Sequence, residues 1–511
     1  MKQLGVLDTA FVNLETGPTP QHIGGLSIYD PSTAPDGFVR FKQVLASFDQ
    51  RLSRLPIFRQ RLVEVPGGLD RPYWIEDERF NIEYHLRHVA LPAPGDWRQL
   101  MIQVARLHSR PLDMSRPLWE CYVIEGLDNI SELPKGLFAV YTKMHHALID
   151  GAGSEAFMSA LHDLVPNPEP RAEEERQPVA IEKPPGPMAL VGRALVNRTV
   201  NTASMARGFF NVTRDVAKMA IDISRDKIPM PDIRPPQTRL NKPVGPYRVV
   251  EGVAIPLKDF MDIRTRAEVK MNDVVLTVIG GALRKYLLAY DDLPEESLTG
   301  SVPINMRKRR AENDEANQVG SVFSKLHTNI ADPLERMRAI KASMDDAKVF
   351  TENSPLADGI KLPGVFSPMI ARPLARAYSE KYLCRFLPMS ISTVISNVPG
   401  PNFPLYCAGA QLVRFYGLGL LTPGTGLFHL VFSYNGMVTI TILADRGIVP
   451  DPAFYRQCLE ESFREVQQAV LGEQPKRAGR KKSAAAGRVK KPRASSKKKT
   501  AGRPRKAAAS A

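Results

Sequence analysis

Two proline-rich breaks constrain this chain more than any other feature. Proline fixes φ and removes a backbone donor, so neither a helix nor a central strand continues through a cluster of them. The first break, PNPEPRAEEERQPVAIEKPPGP, runs from Pro166 to Pro187, and the second from Ile228 to Pro246. They set apart residues 1–165 and 247–472 as two regions, each long enough to bury a core. Between the breaks, Met188 to Lys227 mixes Leu190, Val191, Leu195, Phe209, Phe210, Val212 and Val216 with Arg193, Arg198, Arg207, Arg214 and Lys218. Residues 166–246 therefore read as a proline-rich linker carrying one or two amphipathic helices.

The chain ends in a third kind of break. A net charge of +15 over 511 residues suggests a nucleic-acid partner until the charge is located. Lys476 to Ala511 holds 15 Lys and Arg and no acid, which leaves 54 bases against 54 acids in everything before it. The body is formally neutral. Residues 473–511, rich in Ala, Lys, Arg and Ser and lacking aromatics, cannot bury enough surface to offset their ordering entropy, and a disordered tail is expected. Attraction to polyanions, DNA or anionic lipid follows from its charge alone.

Composition excludes several classes. With 43% hydrophobic and 24% charged residues and a mean hydropathy of −0.21, the chain reads as globular. It has no apolar run of the ~18 residues that a spanning helix needs. The opening MKQLGVLDTAFVNLE lacks the apolar core and cleavage site of a signal peptide, so a cytoplasmic protein is expected. Cys121, Cys384, Cys407 and Cys458 are far apart with no CxxC pair, which points to buried thiols rather than disulfides or a zinc site.

Both large regions mix strand and helix signals. Phe138–Met144 (FAVYTKM) is a short apolar strand, followed by Phe157, Met158, Leu161 and Leu164 at helical spacing. Asp273–Leu288 places Val274, Val275, Val278, Ile279, Leu283 and Leu287 on a helical face. Further on, LFHLVFSY and MVTITILAD flank Asn435-Gly436, a strong signal for a two-residue hairpin turn. The fold class is α+β with sizeable sheets.

Rossmann, Walker A and nucleophile-elbow motifs are missing. The distinctive feature is MHHALIDG, residues 144–151, at the end of the Phe138–Met144 strand. Adjacent residues of a strand point to opposite faces, so only one of His145 and His146 readily serves a given reaction centre. Asp150 and Gly151 suit a loop in which the carboxylate satisfies turn backbone or a buried arginine; Arg59 and Arg307 are candidates. A histidine pair alone is more often structural than catalytic. Metal binding lacks the remaining ligands, and no metal is expected.

The complete HHxxxDG pattern resembles the motif of the acyl-CoA-dependent acyltransferases related to chloramphenicol acetyltransferase and peptide-synthetase condensation domains. Other blocks narrow the resemblance to the bacterial wax ester synthase/diacylglycerol acyltransferase family: Asp8, Phe11, Glu15, His22, Gly24 and Gly25 near the start, Arg116-Pro117-Leu118-Trp119-Glu120, Asn272-Asp273-Val274-Val275-Leu276, and Ser396-Asn397-Val398-Pro399-Gly400-Pro401. The resemblance implies two domains like chloramphenicol acetyltransferase, 1–165 with the motif and 247–472, with a substrate channel between them. It makes His146 the general base, His145 its positioned neighbour, and Asp150 and Gly151 shapers of the loop. Asn272, Asp273, Ser396 and Asn397 become supporting residues of the channel.

The implied reaction is direct transfer of a fatty acyl group from acyl-CoA, a substrate and not a cofactor, to diacylglycerol or a long-chain alcohol. Such acceptors imply peripheral contact with membrane or lipid inclusions, for which Met188–Lys227 is one candidate segment, an interdomain helix being the plainer reading. Several residues keep ordinary explanations: Asn272 as a helix N-cap with Asp273 suiting the helix dipole, Pro117-Leu118-Trp119 as packing, and Ser396-Asn397 as a strand-end turn. An acyltransferase for another lipid acceptor remains a competing reading. So does a lipid-surface or nucleoid-associated binding protein whose site is inert.

Overall fold

A computed structural model describes residues 1–472 except 53–54, 131–132, 149–157, 169–184, 198–213, 215–235, 306–318, 354–365, 382 and 386–390. The expected tail, Asp150, Gly151, Arg307 and most of Met188–Lys227 lie outside the described residues. With strands numbered in chain order, one six-stranded sheet runs β12 (Tyr406–Cys407), β13 (Ala410–Leu418), β2 (His22–Asp30), β7 (Leu137–His145), β6 (Trp119–Leu127) and β5 (Leu86–Ala90). A second runs β10 (Val319–Lys325), β9 (Thr299–Asn305), β11 (Thr393–Pro399), β14 (Leu427–Tyr434), β15 (Met437–Asp445) and β8 (Arg248–Pro256). A small sheet joins β1 (Lys2–Gln3), β4 (Tyr73–Glu76) and β3 (Gln60–Val63). The helices used below are α1 (Val6–Leu14), α2 (Phe41–Leu52), α3 (Trp97–Ser109), α4 (residues 187–197), α5 (Leu257–Ala267), α6 (Met271–Ala289), α7 (Pro333–Asn353), α8 (Pro368–Glu380) and α9 (Pro452–Leu471).

The first sheet is completed from the far end of the sequence. β13 runs antiparallel to β2, from Gln411 opposite Asp30 to Leu418 opposite Gly24. The glycine pair makes room for large neighbours on either side of β2. A Cβ on Gly24 would come within 3.0 Å of the Tyr141 ring, and one on Gly25 within 2.9 Å of Phe415. β13 also crosses onto the second sheet, where Thr439 Oγ1 donates to the Phe415 carbonyl at 2.8 Å. α3 ties the sheets together again, with Trp97 Nε1 donating to Glu251 Oε1 (2.5 Å) and Ser109 Oγ accepting the Arg248 N–H (3.1 Å).

In the second sheet the hairpin forms at Asn435-Gly436, both with positive φ (42° and 79°), as a tight two-residue turn between twisted strands requires. α6 is buried nearly all round, with Val274, Val275, Leu276, Val278, Ile279, Leu283 and Leu287 at 0% exposure, because α7, α9 and the sheet enclose it. Among the described residues all four cysteines are buried.

Seven of the nine histidines have pKa values lowered, chiefly by burial: His22, His85, His108, His146, His162, His327 and His429. Two of them anchor networks. His108 Nδ1 meets Tyr141 Oη at 2.7 Å while its Nε2 meets the Gly419 carbonyl at 3.1 Å, and His429 bridges Thr393 Oγ1 (3.0 Å) and Tyr455 Oη (2.8 Å). Burial holds His108 and His429 at about 3 and His162 at about 4, whereas the unfolded chain titrates near 6.5. Below 6.5 the unfolded state binds more protons, so stability is full above that pH and is lost as pH falls toward the folded values. Thermal melts from pH 8 to 5 should show Tm constant above about 6.5 and falling below it, at on the order of 1 kcal/mol per buried histidine per pH unit. A Tm independent of pH over this range would contradict the burial of neutral imidazoles.

Candidate active site

The site grows from the end of β7. His145 is its last residue, directly across from His22 on β2, and residues His146–Leu148 turn away as one turn of 3-10 helix. The two peptide groups are held on opposite sides: the His145 N–H donates to the Leu118 carbonyl (2.9 Å) and the His146 N–H to the Gln21 carbonyl (2.8 Å). Adjacent side chains therefore diverge, as the strand period requires.

His145 points inward and has no exposure. Its Nδ1 accepts the Ala147 N–H at 3.1 Å, which leaves the ring hydrogen on Nε2. Nε2 lies 3.4 Å from Glu15 Oε2, an electrostatic contact outside hydrogen-bond alignment. The same Glu15 oxygen accepts the Gln21 N–H in a short hydrogen bond. One carboxylate thus faces the first histidine and fixes the loop whose carbonyl holds the second.

His146 is only partly buried, and its ring stacks on Phe11 of α1 with centroids 3.8 Å apart and planes at 18°. Its Nδ1 is buried and unpartnered. Desolvation, and then the neighbouring His145, lowers its pKa to about 4. The imidazole is neutral at physiological pH and can accept a proton. Phe11 and Glu15 are four residues apart, so the helical repeat brings both to the side of α1 that meets the histidine turn. Sequence reasoning placed both in the opening block but gave neither a role. Their i, i+4 spacing signals a shared side of the helix but not what that side meets.

The other expected residues form a second group. Asn272 Oδ1 accepts from Asn397 Nδ2 at 3.5 Å, joining the start of α6 to β11. Asn272 is not the N-cap. Lys270 holds that position, because Asp273 at the third helical position reaches back to accept the Lys270 N–H at 2.9 Å, leaving Asn272 inside the first turn. Asp273 is nearly buried, at 2% exposure. Ser396 and Asn397 lie within β11, opposite Leu430 and Val431, rather than in a turn at its end. Parallel pairing with β14 carries the strand past them to Pro399. Among the described residues no hydrogen bond or ion pair links this group to the histidines.

Pro117-Leu118-Trp119-Glu120 is structural in its contacts. Leu118 and Trp119 are buried, and Trp119 Nε1 donates to the Phe58 carbonyl at 2.8 Å. Glu120 Oε2 pairs with fully buried Lys143 at 3.0 Å, and Lys143 Nζ also donates to the Leu107 and Arg110 carbonyls. Arg59 lies 3.4 Å from Glu76 and over the Phe80 ring. Among the described residues no group of His, Cys, Asp or Glu is placed to hold a metal. A cavity of about 600 Å³ opens among Gln237, Thr238, Asn241, Lys242, Cys384 and Asp445; neither histidine lines it.

Comparison with known proteins accords with this layout. Residues 4–275 match the wax ester synthase/diacylglycerol acyltransferase catalytic domain and residues 315–467 the WS/DGAT C-terminal domain. A protein of Mycobacterium tuberculosis H37Rv named a probable diacylglycerol O-acyltransferase is 33% identical over 468 residues, covering 91% of this chain and 98% of that one. The O-acyltransferase WSD of Acinetobacter baylyi is 31% identical over 464 residues, with 88% and 93% covered. Among solved structures, the wax ester synthase/diacylglycerol acyltransferase of Marinobacter aquaeolei VT8 superimposes with a TM-score of 0.64 at 26% identity, covering 92% of this chain and all of that one. The first condensation domain of the calcium-dependent antibiotic synthetase shares the fold at a TM-score of 0.53 and 12% identity, with 92% and 96% covered. The fold is the mixed α+β, two-lobed one of condensation domains and chloramphenicol acetyltransferase, and the chain belongs to the wax ester synthase/diacylglycerol acyltransferase family of acyltransferases.

Proposed function

We propose that this protein transfers a fatty acyl group from acyl-CoA to the free hydroxyl of diacylglycerol, and also to long-chain alcohols, with His146 as general base. The observation that carries the reading is the neutral, partly exposed His146 imidazole, stacked on Phe11 and held by its own peptide group at the end of β7. Membership of this acyltransferase family supports acyl-CoA as the donor and an alcohol as the acceptor. Among the described residues no helix is long and apolar enough to cross a membrane, and peripheral contact with a lipid surface is part of the proposal.

We assign the ring hydrogen to the buried Nδ1, so that Nε2 takes the proton of the acceptor hydroxyl as its oxygen attacks the thioester carbonyl. The tetrahedral intermediate collapses with cleavage of the C–S bond, and the imidazolium returns the proton to the departing CoA sulfur. No acyl-enzyme forms. Cys121, buried at 0% exposure with its thiol pushed well up by desolvation, is unsuited to be a nucleophile. Glu15 acts through His145, whose position under the turn fixes the second ring. We assign Asp150 and Gly151 to shaping the loop, and Asn272, Asp273, Ser396 and Asn397 to the supporting wall.

Purified protein with labelled palmitoyl-CoA should form triacylglycerol from dioleoylglycerol and wax ester from hexadecanol. His146→Ala should lower kcat by roughly 10²–10⁴-fold with an unchanged melting curve; wild-type activity in this variant would remove the proposed base. Because the base is the unprotonated ring, kcat/KM should be flat at neutral pH and fall on the acid side nearer pH 4 than 6.5. An acid limb centred at 6.5 would mean that the ring is solvated in the working enzyme. Glu15→Gln should reduce kcat about tenfold while leaving KM for acyl-CoA and the melting temperature in place. A pure loss of stability would make Glu15 structural only.

A further inference from the structure

α8 is built inside out. Its inward residues are small, with Pro368, Ala371 and Ser379 buried. Its large apolar side chains face solvent: Met369 is 46% exposed, Ile370 45% and Leu374 63%, with Phe366 just ahead of the helix at 44%. At 100° per residue Ile370, Pro373 and Ala377 fall in one stripe, with Met369 and Leu374 on its two flanks. One cation, Arg376, borders the stripe, and Glu380 and Lys381 close its C-terminal end. Arg376 and Lys381 are exposed, accompanied by the single acid Glu380, while Arg372 is engaged by Glu64 at 2.7 Å.

A second element presents the same kind of surface beside it. α4 buries Leu190 and Ala194 against Val65 and Tyr73 of the small-sheet region and exposes Met188 (83%) and Leu195 (58%). The turn Pro66–Gly68, immediately after Val65, packs against α8 so closely that a Cβ on Gly68 would lie 2.9 Å from the Met369 nitrogen. Inward, α8 rests on α1: Asn13 Nδ2 donates to the Phe366 carbonyl at 3.4 Å, and the Thr16 and Ser379 hydroxyls meet at 3.1 Å. α1 is the helix that carries Phe11 beneath His146.

We propose that the outer face of α8, extended by α4, is the surface through which this protein docks on a lipid phase bearing anionic headgroups. The apolar stripe enters the acyl boundary while Arg376 and Lys381 meet the headgroup charge, the arrangement of an interfacial amphipathic helix. The inference rests on the proposed reaction, whose acceptor resides in such a phase. It places the point of contact one helix layer from the catalytic turn, so a two-chain acceptor reaches the site without crossing open water.

The test uses the full chain and flotation with phosphatidylcholine vesicles containing phosphatidylglycerol, in about 0.5 M salt so that the attraction of the basic tail is screened and apolar insertion is what the assay reads. Ile370→Glu/Leu374→Glu should reduce the bound fraction at least about tenfold, and Leu374→Trp should raise it. With dioleoylglycerol embedded in the vesicles, turnover of the double variant should fall in parallel, while turnover of a short water-dispersed alcohol stays at the wild-type value. Unchanged flotation of both variants overturns the proposal. So does conversion of an oligomer to monomer by the double variant with flotation intact, which makes the face a contact between copies, or a large drop in Tm, which makes it a seat for another part of the chain. Failure of the wild type to acylate any alcohol defeats the proposed reaction instead, because flotation reports on α8 without turnover.

Discussion

The carboxylate of Glu15 is the contact on which the geometry of the site depends. It sits just beyond α1, in the turn into β2, facing the buried ring of His145 and accepting the N–H of Gln21. Gln21 in turn holds the peptide group of His146. Helix, turn and strand end are thereby locked to one another through a single side chain. Shielding strengthens the arrangement, since Glu15 retains only 15% of its side-chain exposure and the opposing ring 1%. The stacked Phe11 adds an apolar wall that keeps the second ring uncharged.

Beneath that arrangement lies a second buried pair. Lys143 on β7 and Glu120 on β6 meet at 3.0 Å, and the lysine's remaining donors go to the last turn of α3 and just beyond it. Breaking such a pair from one side leaves an uncompensated charge in the interior, which is strongly destabilising. The Pro117-Leu118-Trp119-Glu120 block therefore acts at a distance: it fixes the strand beside the one that ends in the histidines.

Local chemistry was legible in the sequence. The FAVYTKM strand, the turn at Asn435-Gly436, the helix after Asn272 and the divergence of the two histidines all follow from rules spanning a few residues. The start of α6 departs from the local expectation because Asp273, reaching back to Lys270, outweighs the intrinsic preference of asparagine for the cap. The roles of Glu15 and Phe11 depend on α1 folding back over β7, a pairing that no local pattern encodes. The meeting of Asn272 with Asn397 is likewise a product of topology, since 125 residues separate them.

The placement of β13 has a consequence for how the protein is made. The N-terminal sheet takes its penultimate strand from Ala410–Leu418, so β2 keeps an unpaired edge while the 264 residues between β7 and β13 are translated. An open edge of that kind is a template for wrong partners. On the ribosome, the two histidines therefore exist for most of synthesis inside an unfinished sheet, and the half of the chain that bears them gains its full set of neighbours only when the other half arrives.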